Sequence, residues 1–346
     1  MTKVAGSETT GSVSPTIDAK KKKSVWSDVP RRLATICVGI PFVWKLLERP
    51  VTAYVFFFGA HALSAWEYSL LEPAIVTAGS DERQSLSKRS RFLFCASSLV
   101  LAAIPDSLSS IFSFAVSLAA GIFAMANKHH WIIGLLVVTL PFRSWCNLSY
   151  YSDPSSFSST VAVLLTVWNA DTGALVAGRL LGRRKAANSN KLPSWIRRIS
   201  PAKTMEGFLG GILGGSLTAL WAIPMLLNAF SMATSPGFCK LWGLDSSIND
   251  EGSVTLSSVS SLNRLLLGFC LSVLAILGDL VESSVKRRSQ SKDSGSVLPG
   301  HGGILDRFDS SLLAVLFYRV ALEQATAMVN IGNDAYSDTQ QGNIEL

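Results

Sequence analysis

Nine apolar stretches recur along the chain, at 33–47, 51–71, 92–105, 107–126, 131–142, 157–178, 206–229, 262–281 and 310–330, and they constrain the fold more than any other feature. A helix needs about 20 apolar residues to cross a bilayer, and several of these stretches are that long. Those at 33–47, 92–105 and 131–142 are short, which suits tilted, re-entrant or protein-buried helices. A mean hydropathy of +0.34 with only 16% charged residues is too apolar for an ordinary soluble domain. The expected fold is therefore all-α: a polytopic integral membrane helical bundle of about nine transmembrane helices.

Polar segments divide the chain further. Residues 1–32 are hydroxylated and basic, with Lys20–Lys23 and no apolar core. They read as a disordered, solvated tail touching anionic headgroups, with a targeting segment as the alternative. N-terminal transmembrane helices occupy 33–150, a C-terminal transmembrane region 151–330, and a polar tail 331–346. Eight basic residues and no acid lie between Arg179 and Lys203, whereas 230–261 sets Lys240 against Asp245, Asp250 and Glu251. The positive-inside rule puts the first loop on the cytoplasmic-equivalent face and the second opposite. Two single spans then return 282–309 to the side of 179–204. The five cysteines, without CxxC spacing, read as buried small hydrophobes.

Chemistry concentrates after residue 150. The densest cluster is Asp279, Glu282, Ser283, Lys286-Arg287, Lys292-Asp293 and His301-Gly302-Gly303-Ile304-Leu305-Asp306-Arg307-Phe308-Asp309. Each ionisable group at bilayer depth costs roughly 2.5–3.5 kcal/mol, so the cluster implies a site at the lipid–water boundary. Carboxylates can hold Mg²⁺ while Lys and Arg hold phosphate oxygens, a mixture suited to phosphoryl or nucleotidyl transfer. Asp279, Glu282, Ser283 and Lys286 share one helical face, where the plain alternative is a neutralised Asp–Lys pair. Gly295, Gly300, Gly302 and Gly303 either bring backbone amides to phosphate or form a flexible linker. Asp306 and Asp309 present two carboxylates on one side and, with Asp279, make a plausible Mg²⁺ cage.

Three further features stand outside that cluster. Asp171, in Asn169-Ala170-Asp171-Thr172-Gly173-Ala174, lies within an apolar run and needs a partner, an ion or a capping role. In Ser200-Pro201-Ala202-Lys203-Thr204-Met205-Glu206-Gly207, Pro201 starts a new helix whose first amides, with Lys203, can hold an anion. Glu206 either orients Lys203 or helps hold a metal. Gly207, Gly211 and Gly215, with Gly210 and Gly214, read as a close helix–helix contact rather than a phosphate loop. Glu67 reads most simply as a group at the end of a span, and His129 and His130 as interfacial residues.

The string Ser283-x-x-Lys286-Arg287, four residues, Lys292-Asp293-Ser294-Gly295, then Pro299-x-His301-Gly302-Gly303-x-x-Asp306-Arg307-Phe308-Asp309 resembles the signature of the CDP-diacylglycerol synthases, or phosphatidate cytidylyltransferases. Ser200–Gly207 resembles that family's Ser-Pro-x-Lys-Thr-x-Glu-Gly segment, and the resemblance spans roughly 160–330. It implies a reaction of CTP with phosphatidic acid in a lipid bilayer, giving CDP-diacylglycerol and pyrophosphate with Mg²⁺ and, as an option, a second cation. On this reading Asp279, Asp306 and Asp309 hold the metal, with Asp171 or Glu282 as further ligands. Lys203, Lys286, Arg287, Lys292 and Arg307 hold phosphates, Thr204, Glu206, Gly302 and Gly303 contribute to substrate binding, and His301 polarises a phosphate oxygen.

No nucleic-acid partner is expected, and a homodimer is one open arrangement. The membrane is equally open between plastid, mitochondrion, endoplasmic reticulum and bacterial inner membrane. Two other readings stay in view: a CTP-dependent kinase of a polyprenol or phytol, and an ion transporter.

Overall fold

The computed structural model describes residues 39, 41–76, 88–103, 111–117, 119, 134–150, 155–182, 192–248, 254–291, 293–295 and 302–342. The chain divides into two compact units, Met1–Trp44 and Lys45–Leu346. In the first, residues 39 and 41–44 are helical.

The second unit opens with α1 (Pro50–Val76) and α2 (Lys88–Ala103), followed by a helical stretch at 111–117. A π-helical turn, Leu135–Thr139, leads into α3 (Leu140–Tyr150), and then come α4 (Ser156–Leu180) and the short α5 (Ser194–Ile199). Helix α6 (Met205–Leu217) passes through a second π-helical turn, Thr218–Ala222, into α7 (Ile223–Ala229), and α8 (Pro236–Trp242) follows. An antiparallel hairpin of β1 (Leu244–Ile248) and β2 (Val254–Ser258), with Leu244 opposite Ser258, precedes α9 (Ser261–Arg288). The one-turn α10 (Leu305–Phe308) and α11 (Ser311–Gly342) complete it.

The architecture is a membrane helical bundle. Among the described residues, four helices are long and apolar enough to cross a membrane: α4, the run Met205–Ala229, α9, and Ser311–Asp334 of α11. The apolar stretches at 51–71, 157–178, 206–229 and 262–281 each fall within one helical run, and 310–330 does so from Ser311 onward; the other four lie partly outside the described residues. Burial follows a membrane pattern. Leu209, Leu213, Leu217, Trp221 and Met225 form an exposed stripe along α6 and α7, while the hydroxyls of Ser159, Thr160, Thr166 and Ser272 are buried. Lipid accepts such a stripe, and the interior gathers the polar groups.

The glycine rows of α6 do pack, and they pack against α4. A Cβ added at Gly207 or Gly211 would stand 3.1 Å from the carbonyl oxygen of Ala174 or Ala170. One added at Gly214 would stand 2.6 Å from that of Asn169, and one at Gly210 2.7 Å from that of Gly173. The two helices therefore meet backbone to backbone, the approach that small residues four apart allow.

Proline and arginine organise one end of the bundle. Pro224 has no N–H to give the carbonyl four residues earlier, Leu220, and the helix widens there into its π turn. Arg264, buried near the start of α9, donates Nε to that Leu220 carbonyl at 3.3 Å and Nη1 to the carbonyls of Trp242 and Gly243 at 3.3 and 3.0 Å. Gly243 ends α8 with a φ of 58°, a left-handed cap that favours glycine. Nearby, Trp242 donates to the Tyr318 hydroxyl at 3.1 Å, which donates to Ser159 at 3.0 Å.

Candidate active site

The opposite end of α9 carries the chemistry. Arg287 Nε donates to the Ile199 carbonyl at 3.1 Å, and Lys203 Nζ lies 2.7 Å from Asp279 Oδ2. The basic segment before α6 and the signature segment after α9 thus share one end of the bundle, with the hairpin at the other, the grouping that loop charge leads one to expect. Here a cleft of about 780 Å³ opens, walled by Asp171, Lys203, Glu206, Asp279, Asp306 and Asp309.

Each side chain has a local reason for its place. Helix α4 continues unbroken to Leu180, so Asp171 is not a cap; it opens onto the cleft and accepts from Ser310 Oγ at 2.7 Å. Thr204 caps α6, its Oγ1 accepting from the Gly207 N–H at 3.1 Å. Pro201 does not start the helix, which begins at Met205; it sits in a turn closed by the Lys203 N–H on the Ser200 carbonyl at 3.2 Å, and Lys203 reaches from this turn across to α9. On α9, Ser283 donates to Asp279 at 3.2 Å one turn away.

The acidic groups fall into two sets. Asp171, Asp279 and Asp309 lie close enough to repel one another, with Lys203 beside Asp279. Burial, and then the charges of Asp279 and Asp171, hold the Asp309 carboxyl well above the usual carboxylate range. In the second set, Lys286 pairs with Glu282 and, at 2.8 Å, with Asp306. Asp306 Oδ2 also accepts from the amides of Gly303 and Ser294 at 2.8 and 3.1 Å. Burial works to raise the Asp306 pKa, but hydrogen bonds with Glu282, Lys286 and the Gly303 amide outweigh it and bring it down to about 2.

Glu282 and Asp306, expected among the metal ligands, are therefore turned to Lys286. Among the described residues no three His, Cys, Asp or Glu groups converge closely enough to form a metal site as they stand. The chemistry of the first set nevertheless fits Mg²⁺: three oxygen donors, mutually repelling, face one ammonium.

The remaining expected residues are dispersed. Lys286 sits behind the cleft wall, Arg287 is exposed and tied to α5, and Arg307 is exposed. Gly302 has a φ of 83°, and a Cβ there would stand 2.8 Å from Asp306 Oδ2, so glycine is required. Lys292, His301, His129 and His130 lie outside the described residues. Cys95, Cys146, Cys239 and Cys270 are unbridged and buried or half-buried, and Cys37 lies outside the described residues.

Glu67 corrects the sequence reading. It does not face solvent: it is 1% exposed within α1, turned into the bundle, where it accepts from the amides of Ile304 and Leu305. An acid within an apolar run was the available signal. Ser310, the partner of Asp171, carried none.

Fold and cleft define a helical membrane protein with a strongly acidic, partly enclosed site at one end of its bundle. The chain belongs to the cytidylyltransferase family, whose model matches residues 30–324. A phosphatidate cytidylyltransferase of Staphylococcus saprophyticus is 38% identical over 160 residues, 46% of this chain and 47% of the relative. That of Bacillus subtilis is 38% identical over 160 residues, 46% and 45% of the two chains, and that of Synechocystis 32% over 182 residues, 52% and 48%. The chain spans about half the length of the curated relatives it matches.

Proposed function

We propose that this chain is a phosphatidate cytidylyltransferase, transferring CMP from CTP to phosphatidic acid to give CDP-diacylglycerol and pyrophosphate. The observation that carries this reading is the cleft in which Asp171, Asp279 and Asp309 face Lys203 at one end of an apolar bundle. The names of the relatives supply the substrates.

In the reaction an oxygen of the lipid phosphate attacks the α-phosphorus of CTP. The bond from that phosphorus to the bridging oxygen breaks, and pyrophosphate leaves with its electron pair. The nucleophile is already an anion near neutral pH, so the obstacles are repulsion between two polyanions and charge growing on pyrophosphate. Asp171, Asp279 and Asp309 are the groups that would hold Mg²⁺, which neutralises phosphate charge and polarises the reacting phosphorus. Lys203, beside Asp279 at the mouth of the cleft, would offer a fixed positive charge to a phosphate oxygen. Lys286 holds Asp306, and through it the backbone that carries Asp309, rather than reaching for substrate.

The position of the cleft supports a lipid acceptor. Leu175, on its wall, is 41% exposed, and Leu209 and Leu213 of α6 face outward. An acceptor can keep its acyl chains in the bilayer while its phosphate enters the charged end.

Purified protein incubated with labelled CTP, phosphatidate and Mg²⁺ is expected to yield a labelled CDP-lipid and pyrophosphate in equal amounts. Release of CDP, with phosphate transferred to a polyprenol or phytol, would replace this reading with the lipid-kinase one.

A further inference from the structure

We propose that Glu67 is a positioning residue for the active site: a carboxylate on the N-terminal helix α1 that sets the signature backbone so that Asp306 and Asp309 face the cleft. The inference rests on the functional reading above for the word active, and on geometry alone for the clamp.

Glu67 is 1% exposed, and a carboxylate so deeply buried needs hydrogen-bond donors. It finds them in the signature segment. Oε1 accepts from the Ile304 N–H at 2.9 Å, and Oε2 from the Leu305 N–H at 2.9 Å and from Ser294 Oγ at 3.3 Å. The two amides stand at the start of α10, where no carbonyl of that single turn can reach them, so the carboxylate supplies their acceptor. Both oxygens are committed, so the grip fixes orientation as well as distance.

A second carboxylate holds the same backbone from the other side. Asp306 accepts from the amides of Ser294 and Gly303, so Ser294 is held by its hydroxyl to Glu67 and by its amide to Asp306. Crowding shows how tightly the segment is seated. A Cβ at Gly295 or Gly303 would come within 2.5 Å of a Glu67 carboxylate oxygen. The same helix supplies Phe56 and Phe57, whose rings lie 6.3 and 6.1 Å from that of Phe308. Helix α1 thus acts on the cleft without lining it: Asp306 follows Leu305 directly, and Asp309 lies one turn further on.

The test is Glu67→Gln, which keeps the side chain's size but turns an amide N–H toward a backbone N–H. We expect kcat to fall at least tenfold, with the KM for phosphatidate within about twofold and the melting temperature within a few degrees of wild type. Hydrogen–deuterium exchange should quicken at least tenfold across 302–310 and stay unchanged in α4 and α6. Wild-type kcat, unchanged exchange at 302–310, or exchange quickened alike throughout the bundle would overturn the proposal. If the variant does not fold, Ser294→Ala removes one of the three bonds and should lower kcat two- to fivefold, with the same local exchange; no change in either would overturn it equally. Should the wild-type protein form no CDP-lipid, the functional reading fails, while the exchange measurement still decides the clamp.

Discussion

Lys203 Nζ stands 2.7 Å from Asp279 Oδ2, binding the chain before α6 to the last turns of α9. Both side chains are partly open to the cleft, at 19% and 32% exposure, so screening limits what the pair adds to stability. Its interest is functional. Lys203 answers one of three neighbouring carboxylates, which leaves the sum of these four charges negative.

Asp279→Asn is expected to lower kcat by about 10²–10³, the effect of removing one strong contact to charge developing in a transition state. Melting temperature should stay near wild type, because the pair it breaks is solvent-accessible. Turnover close to wild type at saturating Mg²⁺ would remove Asp279 from the metal set.

Lys203→Ala is expected to raise the KM for CTP or phosphatidate by about tenfold, the usual scale for losing one charge-assisted hydrogen bond. Initial rates across both substrate concentrations decide it. Unchanged constants and turnover would leave Lys203 as a flank of the helix start.

Asp306→Asn tests the second acidic set through pH. A folded pKa of about 2 lies below the ordinary 3.8, so ionised Asp306 stabilises the fold above about pH 4 and loses that effect as pH falls toward 2. The shift corresponds to roughly 2 kcal/mol. The variant should therefore melt lower than wild type by a constant margin from pH 8 to 5, and the margin should be about halved by pH 3. Thermal unfolding in detergent at those pH values measures it; a margin that grows on acidification would contradict the assignment.

Cysteines placed singly at Ser194, Gln290 and Lys240 in a cysteine-free background test the shared end. An impermeant thiol reagent on sealed vesicles should label Ser194→Cys and Gln290→Cys alike and Lys240→Cys oppositely. Opposite labelling of the first two would break the composite site.

The bundle was legible because its apolar runs are long; of the residues that line the cleft, Asp171 stood out as an acid in an apolar run, Asp279 and Asp309 by helical spacing, and Lys203 by its helix start and the family resemblance. The division of labour among the acids was not legible. Helical periodicity puts Asp279, Glu282 and Lys286 on one face, but only the returning loop decides that Lys286 takes Asp306 while Asp279 takes Lys203. Glu67 was hidden for a stronger reason: two of its partners are backbone amides, and an amide leaves no mark in a sequence. The hairpin at 244–258, short and polar, read only as loop.

The backbone contact between α4 and α6 works as a caliper. Asp171 rides on one rod and Lys203 at the tip of the other, and no side chain separates Gly173 from Gly210. The width of the cleft between them is therefore gauged by the thickness of the peptide backbone itself. A single methyl at Gly210 or Gly214, which meet Gly173 and Asn169 two residues either side of Asp171, would spread the jaws, so residue size along this seam sets the cleft as well as the packing.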